Sequence, residues 1–373
     1  MKILYEDPDM LLLDEPSNDL DLKTLLWLEE FIRNTSLPLI FVSHDETLLE
    51  NCSNGILHLE QLKRKKEAHI SFERLSYAAY VESRNAYIDR NNRIAAKEKK
   101  EFQQQMERWR KIYQSVEYQQ KNISRQDPHG GRLLKKKMHA VKAQQKNLED
   151  KKQNLRQAYE PEEAIDIFFD DIKLNPDKVI LDMELPCLRL QDKILSGKIE
   201  LHVRGKDKIC IIGDNGSGKT TLMKEIYAQL KNREDLHIAY MPQTYADVLN
   251  YDLTPVDFLW DGSDLKEKSR VQTYLGALKF TPEEMSHKIS ELSEGQKCKI
   301  LIVSLILQGA DVLLLDEPTR NLSPLSCPRI RQILKEYKGC IIAISHDRKL
   351  INEVSDKIYE LSEDGCRLLH SSV

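Results

Sequence analysis

The apolar residues of this chain change period along its length. Residues 10–14 (MLLLD) and 39–43 (LIFVS) are unbroken apolar runs of strand length, with a helical stretch around residues 24–33 between them. Continuous runs of this kind suit parallel strands buried on both faces, so they predict neighbours to pack against. Further on the spacing becomes seven: Val81, Ile88, Ala95, Phe102, Trp109 and Val116, with Met106 and Tyr113 interleaved, then Leu134, Val141, Leu148 and Leu155. A seam at that spacing predicts long helices that pair along one side. The segment SRQDPHGGR at residues 124–132 interrupts the seam with Pro128, Gly130 and Gly131, so the prediction is two antiparallel helices with a basic tip of Arg125, His129, Arg132 and Lys135 to Lys137. After an acidic, proline-containing stretch (EPEEAID, 160–166), apolar runs at 208–212, 238–241, 312–315 and 340–345 alternate with helical stretches. That alternation predicts a parallel sheet covered by helices.

The expected organisation is therefore part of a first α/β lobe at residues 1–60, a helical linker at 61–160, and a second, complete α/β lobe at 161–373. At 373 residues there is ample chain for two or three domains and a substantial core. The net charge of −4 conceals a separation: residues 61–158 hold 25 Lys plus Arg against 11 Asp plus Glu, a net of +14, which leaves −4 − 14 = −18 for the rest. A solvated helical face accounts for such charge, and so does a surface for a polyanion. The seven cysteines are scattered, odd in number and never spaced Cys-x-x-Cys, which argues against a zinc site or a disulfide framework. No run approaches the roughly 18 apolar residues that span a bilayer, and no charged-then-apolar leader opens the chain, so the expected location is the cytoplasm.

The chemistry begins with an internal repeat. Residues 9–22 (DMLLLDEPSNDLDL) match residues 311–324 (DVLLLDEPTRNLSP), and the offset is constant: Asp14 to Asp316 is 316 − 14 = 302, and His44 to His346 is 346 − 44 = 302. Only the second copy is preceded by Gly213-Asp214-Asn215-Gly216-Ser217-Gly218-Lys219-Thr220, a phosphate-binding loop that follows an apolar strand and opens a helix. Glycines let the backbone curl so that successive N–H groups face phosphate oxygens, and the helix N-terminus adds its positive end. Lys219 is expected on the β and γ phosphates of a nucleotide and Thr220 on Mg²⁺. Asp316, ending its strand, sits where a second Mg²⁺ ligand is needed, Glu317 where an acid can polarise the attacking water, and His346 where it can contact the γ-phosphate. A lone Asp-Glu or Ser-His pair is commonly structural; recurrence of both at one spacing favours chemistry.

These residues resemble the ATP-binding cassette superfamily. Its signature is matched by Leu292-Ser293-Glu294-Gly295-Gln296, its glutamine loop by Gln243 in YMPQ, its Walker B strand by residues 312–317, and its switch histidine by His346. The resemblance implies a P-loop ATPase fold, an ATP site drawing on residues 213–220, Thr221, Gln243, Ser293, Gly295 and Gln296, with Thr220, Gln243 and Asp316 on the metal. In that family the signature of one cassette completes the phosphate site of another.

Two cassette segments joined by a charged helical hairpin, with no membrane span, resemble the ABC-F subfamily over essentially residues 1–373. That resemblance implies action on the ribosome, with the hairpin towards rRNA and tRNA. LLLDEPSNDLD, TRNLSPLS and SRQDPHGGRLLKKKM further resemble its antibiotic-resistance branch. The runner-up is the energising subunit of a membrane transporter, which shares every cassette motif but has no use for a basic hairpin; a chromosome-organising ATPase would have longer arms. The first segment keeps Asp14, Glu15, Asp21 and His44 without a phosphate loop, glutamine loop or signature, so the expectation is a missing front, no composite site within one chain, and self-association or pairing with another cassette. Ser323 replaces the aspartate of Asp21, and Glu294 stands where glycine is commonest. Phe168 and Phe169, placed in an early strand, are open as base-stacking or core residues.

Overall fold

A computed structural model describes residues 8–369 except 19, 63–66, 123–127, 160, 162–164, 166, 170, 261 and 263. Arg125 and most of the acidic stretch at 160–166 lie outside the described residues. The chain divides into two compact units, one of residues 1–54 with 161–373 and one of residues 55–160.

The larger unit opens with β1 (Leu11–Asp14), α1 (Leu22–Asn34), β2 (Leu39–Val42) and α2 (Glu46–Cys52). β1 and β2 pair in parallel, Leu11 opposite Leu39 and Asp14 opposite Val42. Asp21 ends its loop by accepting from the Thr24 amide at 2.9 Å, which starts α1, and Asp45 starts α2 in the same way through Thr47 and Leu48. The inner faces of these elements bury Leu28, Ile32 and Leu48 together, while Leu12, Ile40 and Val42 on the other face of the strands remain exposed.

The smaller unit holds β3 (Ile56–Leu62), β4 (Glu67–Glu73), α3 (Tyr77–Asn122) and α4 (Pro128–Gln153). The helical part thus begins at Tyr77, and residues 56–62 and 67–73 pair as antiparallel strands because their apolar positions alternate, Leu57 and Leu59 on one strand with Ile70 and Phe72 on the other. α3 and α4 run antiparallel: Trp109 Nε1 donates to the Val141 carbonyl at 2.9 Å, Lys151 Nζ to Gln105 at 3.0 Å and the Arg156 amide to Glu98 at 3.0 Å, so one partner's number rises as the other's falls. Ile88, Ala95, Val116 and Val141 of the seven-residue seam are buried. At its other end α3 is tied to this strand pair, since Arg84, 8% exposed, meets Glu60 at 2.9 Å, the Tyr159 hydroxyl donates to the same carboxylate, and Tyr80 hydrogen-bonds His58 at 2.7 Å.

The larger unit resumes with β5 (Val179–Leu185), β6 (Leu188–Leu190), β7 (Lys193–Ser196), β8 (Ile199–Arg204), β9 (Lys208–Ile212), α5 (Lys219–Leu230), β10 (Ile238–Met241), α6 (Pro255–Leu259), α7 (Leu265–Ala277), α8 (Pro282–Ser286), α9 (Glu294–Leu307), β11 (Val312–Asp316), α10 (Cys327–Glu336), β12 (Cys340–Ile344), α11 (Arg348–Val354), β13 (Lys357–Ser362) and β14 (Gly365–Leu369). Its main sheet has the order β10-β11-β12-β9-β13-β14, parallel except for the last pair. Alternate residues of β11 enter different cores: Leu313 and Leu315 pack with α9 and α10, Val312 and Leu314 with α5 and β8. That two-sided burial is why the sequence reads as unbroken apolar runs, and each such side chain contributes roughly 1.5–3 kcal/mol. Because β9, β11 and β12 are parallel, the loops that leave their C-terminal ends share one edge of the sheet, with β12 between the other two.

Candidate nucleotide site

Residues 213–220 leave β9 at that edge and turn into α5, with Gly218 as its N-cap in the left-handed region. Gly213 has φ +151°, and a Cβ there would stand 2.2 Å from the Leu361 carbonyl oxygen, so only glycine lets the loop leave the sheet beside β13. Lys219 folds back and donates to the carbonyls of Gly213 and Asp214 at 2.9 and 3.0 Å, which closes the loop into a ring. Burial pulls its ammonium below the ordinary lysine range, against the opposing pull of Glu317 and Asp316.

β11 delivers Asp316 and Glu317. Asp316 is 1% exposed and both its carboxylate oxygens are buried without a hydrogen-bond partner. Burial raises its pKa, and the nearby Thr220 hydroxyl and Lys219 oppose that rise. A carboxylate so placed suits a divalent cation, and the hard oxygen donors Thr220 and Gln243 are the other residues that would hold one. Among the described residues no group of three His, Cys, Asp or Glu is arranged to hold a metal by itself, so any cation here would rest on few protein ligands plus phosphate.

Glu317 has φ +55°, a left-handed turn that costs a non-glycine residue roughly 1–2 kcal/mol. Glu15, its counterpart 302 residues earlier, has φ +44°. In both copies the glutamate accepts from the backbone amide of the histidine after the next strand: Glu317 from His346 at 3.3 Å, Glu15 from His44 at 3.0 Å. The imidazole Nε2 atoms lie 3.6 and 3.4 Å from the same carboxylates. Burial pushes the Glu317 carboxyl up to about 8, and burial followed by the Lys219 charge brings His346 down to about 4. Glu317, once ionised, is thus basic enough to take a proton from water near neutral pH, and a neutral His346 offers one donor and one acceptor.

A cleft at this edge is lined from the second copy by Asn215, Gln243, Glu317, Thr319, Arg320 and His346, and from the first by Ser17, Asn18, His44, Asp45 and Glu46. The first segment also reaches the phosphate loop itself, with Lys23 Nζ 2.9 Å from Asp214. The first segment thus borders the second site: the repeat places Ser17, Asn18 and His44 opposite Thr319, Arg320 and His346. The 302-residue offset relates Ser17 to Thr319, Asn18 to Arg320 and His44 to His346, but it does not say that the two copies face each other.

Ser293, Gly295 and Gln296 do not line this cleft. Ser293 and Gln296 instead form a reciprocal cap on α9, and Gln296 Nε2 donates to Glu284 at 2.7 Å. Residues 167–169 form no strand, which corrects the expectation for the two phenylalanines. Phe169 packs edge-on against Tyr337 at 4.7 Å as part of the core, and Phe168 is half exposed beneath the Arg329 guanidinium. Neither lines the cleft.

The fold is the P-loop fold of ATP-binding cassette ATPases. The family model described as ABC transporter matches residues 197–320. Over 376 residues the chain is 28% identical to ABC transporter F family member 5 of Arabidopsis thaliana, covering 98% of this chain and 50% of that protein. It is 29% identical over 386 residues to the ribosome protection protein VmlR of Bacillus subtilis (strain 168), covering 98% of this chain and 67% of that one. Its fold is similar to that of the archaeal ribosome recycling factor aABCE1, solved in complex with the ribosomal stalk protein aP1, with a TM-score of 0.55 at 18% identity over 95% of this chain and 59% of that one. The chain spans about half the length of the first curated relatives it matches. These likenesses are all to ATP-binding cassette proteins, among them proteins named as F family members. No helix among the described residues is long and apolar enough to cross a membrane.

Proposed function

We propose that the chain is an ABC-F type ATPase that acts on the ribosome in the cytoplasm. The observation that carries the ATPase reading is the convergence of the 213–220 loop, Asp316, Glu317 and His346 at one sheet edge. In this reading the loop and Lys219 bind ATP, Thr220, Gln243 and Asp316 hold Mg²⁺, Glu317 orients and deprotonates water, and His346 contacts the γ-phosphate. Mg²⁺ supplies charge neutralisation between the phosphates. Ser293 and Gln296, which cap α9, and Gly295 between them lie outside this cleft and serve a second nucleotide site on another cassette surface.

The ribosomal part rests on the charge of the smaller unit, +14 over residues 61–158, with Arg132 and Lys135 to Lys137 exposed on α4. The likeness to VmlR, named a ribosome protection protein, supports a protective role as its specific form. Contacts between lysines and RNA phosphates release counterions, so the expected binding to ribosomes falls steeply between 50 and 200 mM salt, roughly in proportion to the number of contacts. Reversing the charges of Arg132 and Lys135 to Lys137 is expected to abolish co-sedimentation with ribosomes and flatten its salt dependence. Unchanged co-sedimentation would overturn the assignment of that helix.

A further inference from the structure

The contact between the first segment and the second lobe has an internal two-fold symmetry that the charges break. Arg331 on α10 donates to Glu46 on α2 at 2.7 Å, and Arg348 on α11 donates to Glu29 on α1. By the 302-residue offset Glu29 is the counterpart of Arg331 (29 + 302 = 331) and Glu46 that of Arg348 (46 + 302 = 348). The two ion pairs are therefore one contact made twice with the roles exchanged, as in a two-fold interface between like subunits. The supporting contacts follow the same rule: Asn51 donates to Glu29 at 3.0 Å, and its counterpart Glu353 accepts from Arg331 at 3.0 Å. Lys349 adds a third basic group against Glu50 at 2.5 Å and Glu46 at 3.2 Å.

Both members of the repeat carry charge at the two key positions, but of opposite sign. The first segment is acidic at both, and the second is basic at both. Arg331 and Glu29 side chains are each 3% exposed and Glu46 is 10% exposed, so these charges depend on each other and not on water. If a second copy of the basic half took the place of the acidic half, Arg331 would face Arg348 twice over. Two acidic halves would set Glu29 against Glu46. In a pairing of like halves Arg331 keeps only Glu353 and Asp347 of its own half and Glu29 only the Asn51 amide, the opposite charge across the contact is lost, and a wrong partner is thereby rejected.

We propose that this reversed-sign pattern is a pairing code: the α10–α11 face accepts the acidic α1–α2 face of the first segment and excludes a second copy of itself. Self-association of the second lobe through this face is what the code prevents. The partner it fits is defined by chemistry, an α1–α2 pair with carboxylates at the positions of Glu29 and Glu46.

The test uses the full chain in three forms: Glu29→Arg with Glu46→Arg, Arg331→Glu with Arg348→Glu, and all four together. Thermal unfolding and sedimentation velocity are measured on each, and sedimentation also on an equimolar mixture of the two double variants. Each double variant alone is expected to melt below the parent, the fourfold variant to regain most of that loss, and the mixture to form a 1:1 complex that neither component forms alone. A fourfold variant no more stable than the double variants, or self-association of either double variant equal to that of the mixture, would overturn the code. A half-exposed pair gives a second reading that does not require exchange at buried positions: Lys349→Glu and Glu50→Lys are each expected to lower the melting temperature, and their combination to restore it. Equal, additive losses there contradict the proposal whatever the buried set does.

Discussion

His346 lies against Glu317 twice, its backbone amide donating to one carboxylate oxygen at 3.3 Å and its imidazole Nε2 standing 3.6 Å from the other, beyond hydrogen-bond reach. That carboxyl is buried, and its proton affinity is raised to about 8 from an ordinary 4.5. Between those two values the folded chain keeps a proton on Glu317 that the unfolded chain has released. Stability is therefore lost as pH rises across that window, at up to roughly 1.4 kcal/mol per pH unit. Glutamine does not titrate. In the absence of Mg²⁺ and nucleotide, the melting temperature of Glu317→Gln is expected to gain on that of the parent as pH goes from 5 to 8. A difference that stays constant with pH would show that Glu317 is ionised in the folded chain.

The helical pair of the smaller unit depends on Trp109. Its indole N–H reaches the Val141 carbonyl at 2.9 Å, and its ring leans on Tyr113 at 5.3 Å between centroids. Trp109→Phe removes the hydrogen bond and keeps most of the ring, for a loss of about 1 kcal/mol. Trp109→Ala also opens a void, and the loss should reach about 3 kcal/mol at this half-buried position. Urea unfolding monitored by helix content would separate the two, and identical curves for all three proteins would deny the tryptophan its role.

Thiol reactivity should single out Cys187. Cys210, Cys298, Cys327 and Cys340 are buried, and burial pushes Cys298 up to about 12. Cys52 and Cys366 are half-exposed, yet burial raises them to about 11 and about 12. Since the thiolate is the reactive form, limiting iodoacetamide at pH 8 is expected to modify Cys187 first, read by peptide mass spectrometry. Equal labelling of Cys298 would mean that the core around α9 opens far more readily than its packing implies.

The phosphate loop, the strands that flank it and the seven-residue seam were legible in the sequence because each rests on local spacing. The repeat was legible too, and it carried Glu15 and His44 to the same geometry as Glu317 and His346. What spacing could not show was which surfaces face each other. Glu29 and Arg331 read as ordinary surface charges on amphipathic helices until α2 and α11 bring Glu46 and Arg348 against them. The pairing of β3 with β4 straddles the expected boundary at residue 60 and is hard to read because its alternation is brief. Phe168 and Phe169 were placed in a strand on composition, whereas the chain there is irregular and the second ring is claimed by Tyr337.

Nucleotide affinity at Lys219 tests the whole account most directly. Its ammonium, now turned onto the carbonyls of Gly213 and Asp214, is the charge that the loop offers to phosphate. A charge-assisted contact of this kind corresponds to about 1.5–3 kcal/mol, roughly ten- to a hundredfold in affinity. Titration of the parent chain and of Lys219→Ala with a fluorescent ATP analogue in Mg²⁺ is expected to show saturable binding by the parent, weakened by that factor in the variant. Equal affinities in the two proteins would contradict the assignment of residues 213–220 as the ATP site.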